Sequence, residues 1–272
     1  MIRITIGVLA LQGAFIEHIH LLRQATAEVS KEPNVRSAGG DKDAVRTHFE
    51  FLEVRTPSAL ADCDALIIPG GESTAISLIA ERTGLLEPLR EFVKVQRRPV
   101  WGTCAGLILL AESANKSKST GQELIGGLDV RVHRNYFGRQ VESFETDLDL
   151  PFLADNHPFR SVFIRAPVVE KVLQASSPEA PRADGTTIAA PPKQATSAPV
   201  EILGRLPGRA RALKDKITMA EDLGEDGDVV VVRQGNVFGT AFHPELTGDA
   251  RIHAWWLGEV LKIATQNQKG GD

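Results

Sequence analysis

The segment Arg98–Ser113, RPVWGTCAGLILLAES, constrains the fold of this chain more than any other stretch. It predicts a short buried strand at Pro99–Trp101, a tight turn with a glycine on each side of the Thr103-Cys104-Ala105 core, and then an apolar helix. A reactive side chain on a sharp strand-to-helix turn is the arrangement of a nucleophile elbow. The helix N-terminus behind Cys104 favours the thiolate over the thiol, so the turn predicts a nucleophilic cysteine. A buried structural cysteine is the alternative interpretation.

Strands and helices alternate on both sides of this turn. The first half predicts strands at Ile2–Leu11, Phe49–Arg55 and Ala65–Ile68, and helices at Ala14–Ala25, Ala75–Arg82 and Leu85–Gln96. The second half predicts strands at Leu124–His133, Gln140–Leu148, Ser161–Ile164, Val168–Leu173 and Glu201–Leu206, a hairpin of Asp228–Arg233 with Asn236–Phe242, and a closing helix at Asp249–Ala264. Alternation predicts right-handed crossovers and a parallel sheet, to which the hairpin adds antiparallel strands. We therefore expect residues 1–272 to form a single α/β domain of three layers, with a central mixed, mostly parallel sheet.

Three stretches lack these patterns: residues 28–48, 115–122 and 174–214. The first is charged and contains glycine and proline, the second is polar, and much of the third is rich in Pro, Ala, Ser and Thr. Segments with few large apolar residues bury little surface. We expect surface insertions at all three, with residues 174–199 forming a mobile loop.

The composition excludes several function classes. The chain has 272 residues and a formal net charge of -4, which gives no basic surface for nucleic acid. Its two cysteines provide neither a disulfide framework nor a cysteine-rich zinc site, and no carboxylates or cysteines stand at metal-ligand spacing. No apolar run approaches the length of a membrane span, and the first residues predict a strand rather than a signal peptide. We expect a cytoplasmic protein that binds no metal, nucleic acid or membrane.

The triplet His243-Pro244-Glu245 directly follows a predicted strand. Active sites of open α/β sheets lie outside the carboxyl ends of the strands, which is where this triplet falls. In an extended segment residues two apart point the same way, so Glu245 is expected beside the imidazole of His243. Cys104, His243 and Glu245 then form a nucleophile, its base and the group that orients the base. The alternative is a histidine that caps the strand beside an ordinary surface glutamate.

The remaining histidines predict no site. His18 and His20 are two residues apart on a predicted helix, so they face different directions.

The stretch Pro69–Thr74, PGGEST, places two glycines between a strand and a helix. Such a loop exposes backbone N–H groups that can bind an oxyanion or a substrate carboxylate. The same residues also suit a plain strand-to-helix turn with Ser73 or Thr74 as the N-cap, and the two interpretations are compatible. No GK[ST] follows, which excludes a phosphate loop.

The motifs PGGES, GTCAG and FHPE, in this order, resemble those of the class I, triad-type glutamine amidotransferases. Within that family the chain is similar to the glutaminase subunits of pyridoxal 5'-phosphate synthases. The stretches that carry this closer resemblance are GVLALQG at Gly7–Gly13, Glu17-His18, RNYFGRQ at Arg134–Gln140, Ser143-Phe144-Glu145, FIRAP at Phe163–Pro167 and HPELT at His243–Thr247. They are spread over most of the chain. The family core is typically shorter, and the excess falls at the three predicted insertions.

The resemblance implies hydrolysis of L-glutamine to L-glutamate and ammonia through a thioester. Cys104 matches the nucleophile, His243 the general base and Glu245 its orienting partner. The substrate-binding positions that match are Gly71, Glu72, Ser73, Arg134, Ile164 and Arg165. The oxyanion is expected on the backbone N–H groups of Gly71 and Ala105. Whether the two arginines bind the substrate carboxylate, order the site or form surface ion pairs stays open.

The resemblance also implies a protein partner and no cofactor. Ammonia is expected to pass to a separate (β/α)8-barrel synthase subunit, in a hetero-oligomer, which makes pyridoxal 5'-phosphate from a pentose phosphate and a triose phosphate. Two alternatives remain: the glutaminase of another amidotransferase or a γ-glutamyl hydrolase, against which RNYFGRQ and FIRAP argue, and a non-catalytic regulatory subunit. We further expect the turn Leu11–Ala14 to switch activity on when the partner docks, since Gly13 permits a peptide rotation.

Overall fold

The structure, a computed structural model of the chain, describes residues 2–29, 47–115, 122–134, 136, 143–153, 155, 157–173, 187–191, 198–206 and 228–269. Most of the predicted insertions at 28–48, 115–122 and 174–214 lie outside the described residues. Among the described helices, none is both long and apolar enough to cross a membrane.

Thirteen strands are described, and eleven of them form one mixed sheet. These are β1 Ile2–Leu9, β2 Thr47–Val54, β3 Ala65–Ile68, β4 Val100–Thr103, β5 Ala111–Asn115, β6 Leu128–His133, β9 Val168–Val172, β10 Thr187–Ala189, β11 Glu201–Leu206, β12 Asp228–Gln234 and β13 Val237–Thr240. Their order is β10-β5-β6-β9-β12-β13-β4-β3-β1-β2, and β11 pairs with β12 outside this path. The remaining two, β7 Ser143–Leu148 and β8 Phe159–Ile164, form a separate antiparallel pair.

Six helices flank the sheet in the described part of the chain. They are α1 Phe15–Val29, α2 Pro57–Ala61, α3 Ser73–Arg82, α4 Leu86–Arg90, α5 Ala105–Leu110 and α6 Arg251–Lys269. A π-helical turn at Glu91–Val95 extends α4, and a 3-10 turn lies at Pro244–Leu246.

Adjacent residues of the central strand β4 show that helices cover both faces of the sheet. The Trp101 ring packs against His253 and Trp256 of α6 and against His18 of α1. Gly102 points the opposite way, since a Cβ there would lie 2.5 Å from the carbonyl carbon of Gly106 in α5. This confirms the predicted single α/β domain with a central mixed, mostly parallel sheet and helices in the two outer layers.

Five neighbouring strands are parallel, so their carboxyl ends lie at the same edge of the sheet: β2, β1, β3, β4 and β13. Residues of β3, β4 and β13 are all buried, as expected for strands covered on both faces. The register pairs Ile68 with Gly102 and Thr103 with Thr240. Three segments therefore lie at one edge of the sheet, because they follow the carboxyl ends of β3, β4 and β13: the PGGES loop, the cysteine turn and the HPE triplet.

Two local expectations were wrong. The helix expected to run to Ser113 ends at Leu110, because Ala111–Asn115 pairs with β6 on one side and β10 on the other. The loop expected at 174–199 contains β10, which pairs with β5. In both cases strand pairing between segments distant in sequence decided the conformation. The strands predicted within residues 140–148 and 161–164 are present as β7 and β8, and they pair with each other outside the main sheet.

Candidate active site

Cys104 lies at the turn between β4 and α5 in a conformation that L-residues rarely adopt, with φ 48° and ψ −100°. Its backbone N–H donates to Thr240 O at 2.8 Å, and its carbonyl accepts from Ile108 N at 3.3 Å. Gly106 approaches β3 so closely that any Cβ would overlap with the Ile68 carbonyl oxygen. These contacts hold the strained turn in place, as required of a nucleophile elbow. Cys104 is 5% exposed.

His243 follows β13 and is fixed by its backbone N–H, which donates to Val162 O of β8 at 2.8 Å. Its Nδ1 lies 2.7 Å from Glu245 Oε1. A Cβ at Gly70 would lie 2.6 Å from His243 Nδ1 and 3.3 Å from Cys104 Cβ, so both side chains border the same small space above Gly70. The predicted His243–Glu245 proximity is present, but a 3-10 turn at Pro244–Leu246 produces it rather than extended backbone.

The protonation of His243 depends on its two neighbours. Burial alone would lower the pKa of the imidazole, but the Cys104 and Glu245 side chains outweigh it and raise the pKa to about 10. Burial likewise acts to raise the pKa of Glu245, and the imidazoles of His18 and His243 bring it below its ordinary value. The arrangement therefore favours an ionised carboxylate and a protonated imidazole beside the thiol.

Behind Glu245 lies a group of buried polar residues for which the sequence predicted no role. His18 Nε2 is 3.4 Å from Glu245 Oε2 and 3.3 Å from Thr103 Oγ1, and His18 Nδ1 is 2.9 Å from His253 Nε2. His18 and His20 do face different directions, since His18 is fully buried and His20 is exposed. A signal for His18 is present in the sequence: it shares the apolar stripe of α1 with Leu22.

The loop at Gly70–Gly71 is covered by the turn after β1. Gln12 Oε1 accepts from Glu72 N at 2.8 Å, and Ala14 N donates to Gly70 O at 3.3 Å. Gly13 has φ 96°, and any Cβ there would overlap with the Gly70 carbonyl oxygen, so the turn requires glycine. The turn predicted to act as a switch thus contacts the loop that carries Gly71.

The predicted substrate-binding residues Glu72, Ser73 and Arg134 lie together, joined by a residue that the sequence did not single out. Gln122 Oε1 accepts from Ser73 Oγ at 3.3 Å, from Thr74 Oγ1 at 3.1 Å and from Arg134 Nη1. Glu72, rather than Ser73 or Thr74, is the N-cap of α3, and its carboxylate accepts from Ala75 N at 2.7 Å.

Arg134 is buried beside Glu72. Burial lowers the pKa of the guanidinium, and the Glu72 carboxylate opposes that shift. Gln122 belongs to the stretch expected to be an insertion, and a lone polar residue there carries no pattern that marks it.

The remaining predicted site residues, Ile164, Arg165 and Ala105, lie outside the group around Gln122. Ile164 O lies 3.9 Å from Cys104 Sγ, so this carbonyl borders the Cys104 side chain. Arg165 follows with φ 43° and an exposed side chain. Ala105 is the first residue of α5, where a backbone N–H has no acceptor within the helix.

Comparisons with known proteins give a consistent result. The chain is 40% identical over 268 residues to a probable pyridoxal 5'-phosphate synthase subunit PDX2 of Arabidopsis thaliana, covering 95% of this chain and 87% of that protein. It is 39% identical over 258 residues to pyridoxal 5'-phosphate synthase subunit SNO1 of Saccharomyces cerevisiae, covering 94% and 92%.

A solved structure described as a glutamine amidotransferase superposes with a TM-score of 0.62 at 33% identity, covering 94% of this chain and 98% of that one. The family model for SNO glutamine amidotransferases matches residues 8–200 and 200–262. The chain is therefore a member of the SNO glutamine amidotransferase family.

Proposed function

We propose that this chain is the glutaminase subunit of a pyridoxal 5'-phosphate synthase and that it hydrolyses L-glutamine with a Cys104–His243–Glu245 triad. The observation that carries the proposal is the position of His243, with Nδ1 2.7 Å from Glu245 Oε1 and its ring beside Cys104 above Gly70. The family membership and the names of the relatives support the proposed substrate and pathway.

In the proposed mechanism the Cys104 thiolate attacks the side-chain amide carbon of glutamine. Glu245 accepts from His243 Nδ1–H, which leaves Nε2 of the same ring for the thiol and the leaving group. The oxyanion is stabilised by the N–H groups of Gly71 and Ala105. Protonated His243 transfers its proton to the leaving nitrogen, ammonia departs, and a thioester remains.

Hydrolysis of the thioester completes the cycle. His243, now neutral, takes a proton from water, and the hydroxide adds to the thioester carbonyl. Collapse of this adduct releases glutamate, and the proton on His243 returns the thiolate–imidazolium pair to its starting state. Buried Arg134, held by Gln122, is assigned to the substrate carboxylate, and Glu72, Ser73, Ile164 and Arg165 are assigned as further substrate-binding residues.

Ammonia is proposed to pass to a (β/α)8-barrel synthase subunit in a hetero-oligomer, within the cytoplasm. The predicted switch at Leu11–Ala14 fits this assignment, because its contacts with Gly70 and Glu72 couple a surface turn to the oxyanion loop. Docking of the partner would reorient one N–H toward the developing charge, a change worth on the order of 10²–10³ in rate.

The test is glutamate and ammonia release by the purified chain, alone and with the synthase subunit, alongside Gly13→Val. We expect slow release alone, strong stimulation by the partner and loss of that stimulation in the variant. Pyridoxal 5'-phosphate formation from the two sugar phosphates should require this chain when glutamine is the nitrogen source. It should not require this chain when ammonium salts are supplied instead. Absence of glutamate release in the complex would overturn the proposed function, and full activity without the partner would overturn the switch.

A further inference from the structure

Glu245 is buried with an unequal set of partners on its two oxygens. Oε1 lies 2.7 Å from His243 Nδ1. Oε2 has no hydrogen bond of ordinary geometry among the described residues, although His18 Nε2 lies 3.4 Å away. The side chains of His18 and Glu245 are both fully buried. A carboxylate removed from water is costly unless its oxygens find donors, so Oε2 requires one.

His18 can supply that donor in only one of its neutral tautomers. With the proton on Nε2, His18 presents an N–H to two neighbouring acceptors, Thr103 Oγ1 at 3.3 Å and Glu245 Oε2 at 3.4 Å. His18 Nδ1 then carries a lone pair and accepts from His253 Nε2–H across 2.9 Å. In the other tautomer, lone pairs of His18 Nε2 and Glu245 Oε2 would face each other.

The far end of this chain supports the same tautomer. His253 Nδ1 is buried and has no hydrogen-bond partner among the described residues. When His253 Nε2 carries the proton, the unpaired Nδ1 atom of His253 has a lone pair and no hydrogen. The opposite tautomer would bury an unpaired N–H, on top of the clash of lone pairs at Glu245.

We propose that His18 is a positioning residue of the catalytic centre: as a neutral imidazole, it donates Nε2–H to Glu245 Oε2 and thereby orients Oε1 toward His243. This inference rests on the proposed triad. Four polar groups surround Glu245 and His18. His243 precedes the 3-10 turn, His253 lies on α6 and Thr103 on β4, and Cys104, at the start of α5, lies beyond His243.

The neutrality of His18 matters for the chemistry. Burial lowers the pKa of His18 and of His253 to about 3, so both rings are uncharged at neutral pH. A charged His18 would compete with His243 for Glu245. A neutral N–H donor stabilises the carboxylate without that competition, and the positive charge stays on the imidazole that must protonate the leaving group.

The test compares His18→Phe with His18→Gln in the complex with the synthase subunit. The Phe variant removes the donor, whereas the Gln side chain places an N–H near the position of Nε2. We expect His18→Phe to lower kcat on the order of tenfold, a loss typical of a disturbed positioning contact, with KM for glutamine within twofold. His18→Gln should recover most of kcat, and His20→Asn, on the exposed face of the same helix, should match the wild type.

The pH profile separates positioning from a purely structural role. Without the donor the ionised form of Glu245 loses stabilisation, so its pKa rises and protonation begins at higher pH. The acid limb of kcat/KM should therefore move to higher pH in His18→Phe and stay in place in His18→Gln. Wild-type kcat and an unmoved acid limb in a folded His18→Phe protein would overturn the inference.

A second pair covers a failure of the Phe variant to fold. The shorter side chain of His18→Asn places its N–H near Nδ1 instead of Nε2, so it should show the lower kcat and the shifted acid limb that His18→Gln lacks. Identical profiles for these two amides would overturn the positioning role. Activity in Cys104→Ala, by contrast, would overturn the triad itself, and this keeps the two failures distinguishable.

Discussion

The two sides of the site are built in different ways. We call the proposed triad, Cys104 with His243 and Glu245, the nucleophile side. It is fixed by backbone hydrogen bonds to neighbouring strands, such as Cys104 N to Thr240 O and His243 N to Val162 O. We call the proposed substrate-binding residues Ser73 and Arg134 the substrate side. They are joined through the side chain of Gln122. One side therefore takes its geometry from the sheet, and the other takes it from side-chain contacts between loops.

This difference predicts which kinetic constant responds to a substitution. Changes on the nucleophile side remove groups needed only as the bond breaks, so they should lower kcat. Changes on the substrate side disturb the placement of glutamine and should raise KM first.

The largest effect is expected at the nucleophile. Cys104→Ala should lower kcat by at least about 10³-fold, and Cys104→Ser nearly as much, since a hydroxyl ionises far less readily than a thiol. Glutamate release by the complex measures this, and ammonium-dependent pyridoxal 5'-phosphate formation should persist.

The second cysteine is the matched control. Cys63 is buried, and its burial, with Asp62 and Asp64 nearby, raises the pKa of the thiol to about 12, so it stays protonated. Cys63→Ala should keep kcat near the wild-type value. An inactive Cys63 variant beside an active Cys104 variant would remove Cys104 from the mechanism.

The next largest effect is expected at Glu245. Glu245→Gln preserves shape but cannot stabilise the imidazolium of His243, so kcat should fall on the order of 10²–10³-fold with little change in KM. Steady-state kinetics with both constants resolved measures this. A rise in KM with unchanged kcat would instead indicate that Glu245 binds the substrate.

The same difference explains which features of the fold and the site could be predicted from the sequence. The strand-to-helix turn at Cys104 and the HPE triplet are local patterns, and their meeting follows from the shared edge of parallel strands. The order of elements also predicted the α/β class. These features depend on residue spacing and periodicity, which the sequence displays directly.

Other features depend on contacts between distant segments. The Gln122 contacts join residues 12 to 49 positions apart, and the His18–His253 pair spans 235 positions. Residues 111–113 of β5 were expected to be helix because they resemble their helical neighbours locally, whereas two partner strands decide the conformation of β5. No local pattern encodes such pairings.

On the substrate side, Gln122→Leu should raise KM for glutamine about tenfold and leave kcat within about threefold, because a buried acceptor for Arg134 and Ser73 is lost. Gln122→Glu retains an acceptor oxygen and serves as the control, with a smaller rise in KM. A fall in kcat at unchanged KM in the Leu variant would contradict the division between the two sides.

The smallest effect is expected from deleting residues 176–198 and joining the ends with a short glycine linker. The composition alone predicts little loss of activity, since a change in loop length alters closure entropy only slowly. The deletion also removes β10, however, where Thr187 pairs with Asn115, and Asn115 Oδ1 accepts from Arg134 N at 2.7 Å. We therefore expect a KM raised about threefold at unchanged kcat, in steady-state assays of the complex. Asn115→Ala, which removes the same contact without touching the loop, should reproduce that rise. A deletion variant that is folded and loses kcat instead would connect β10 to the nucleophile side, and the separation of the two sides would no longer hold.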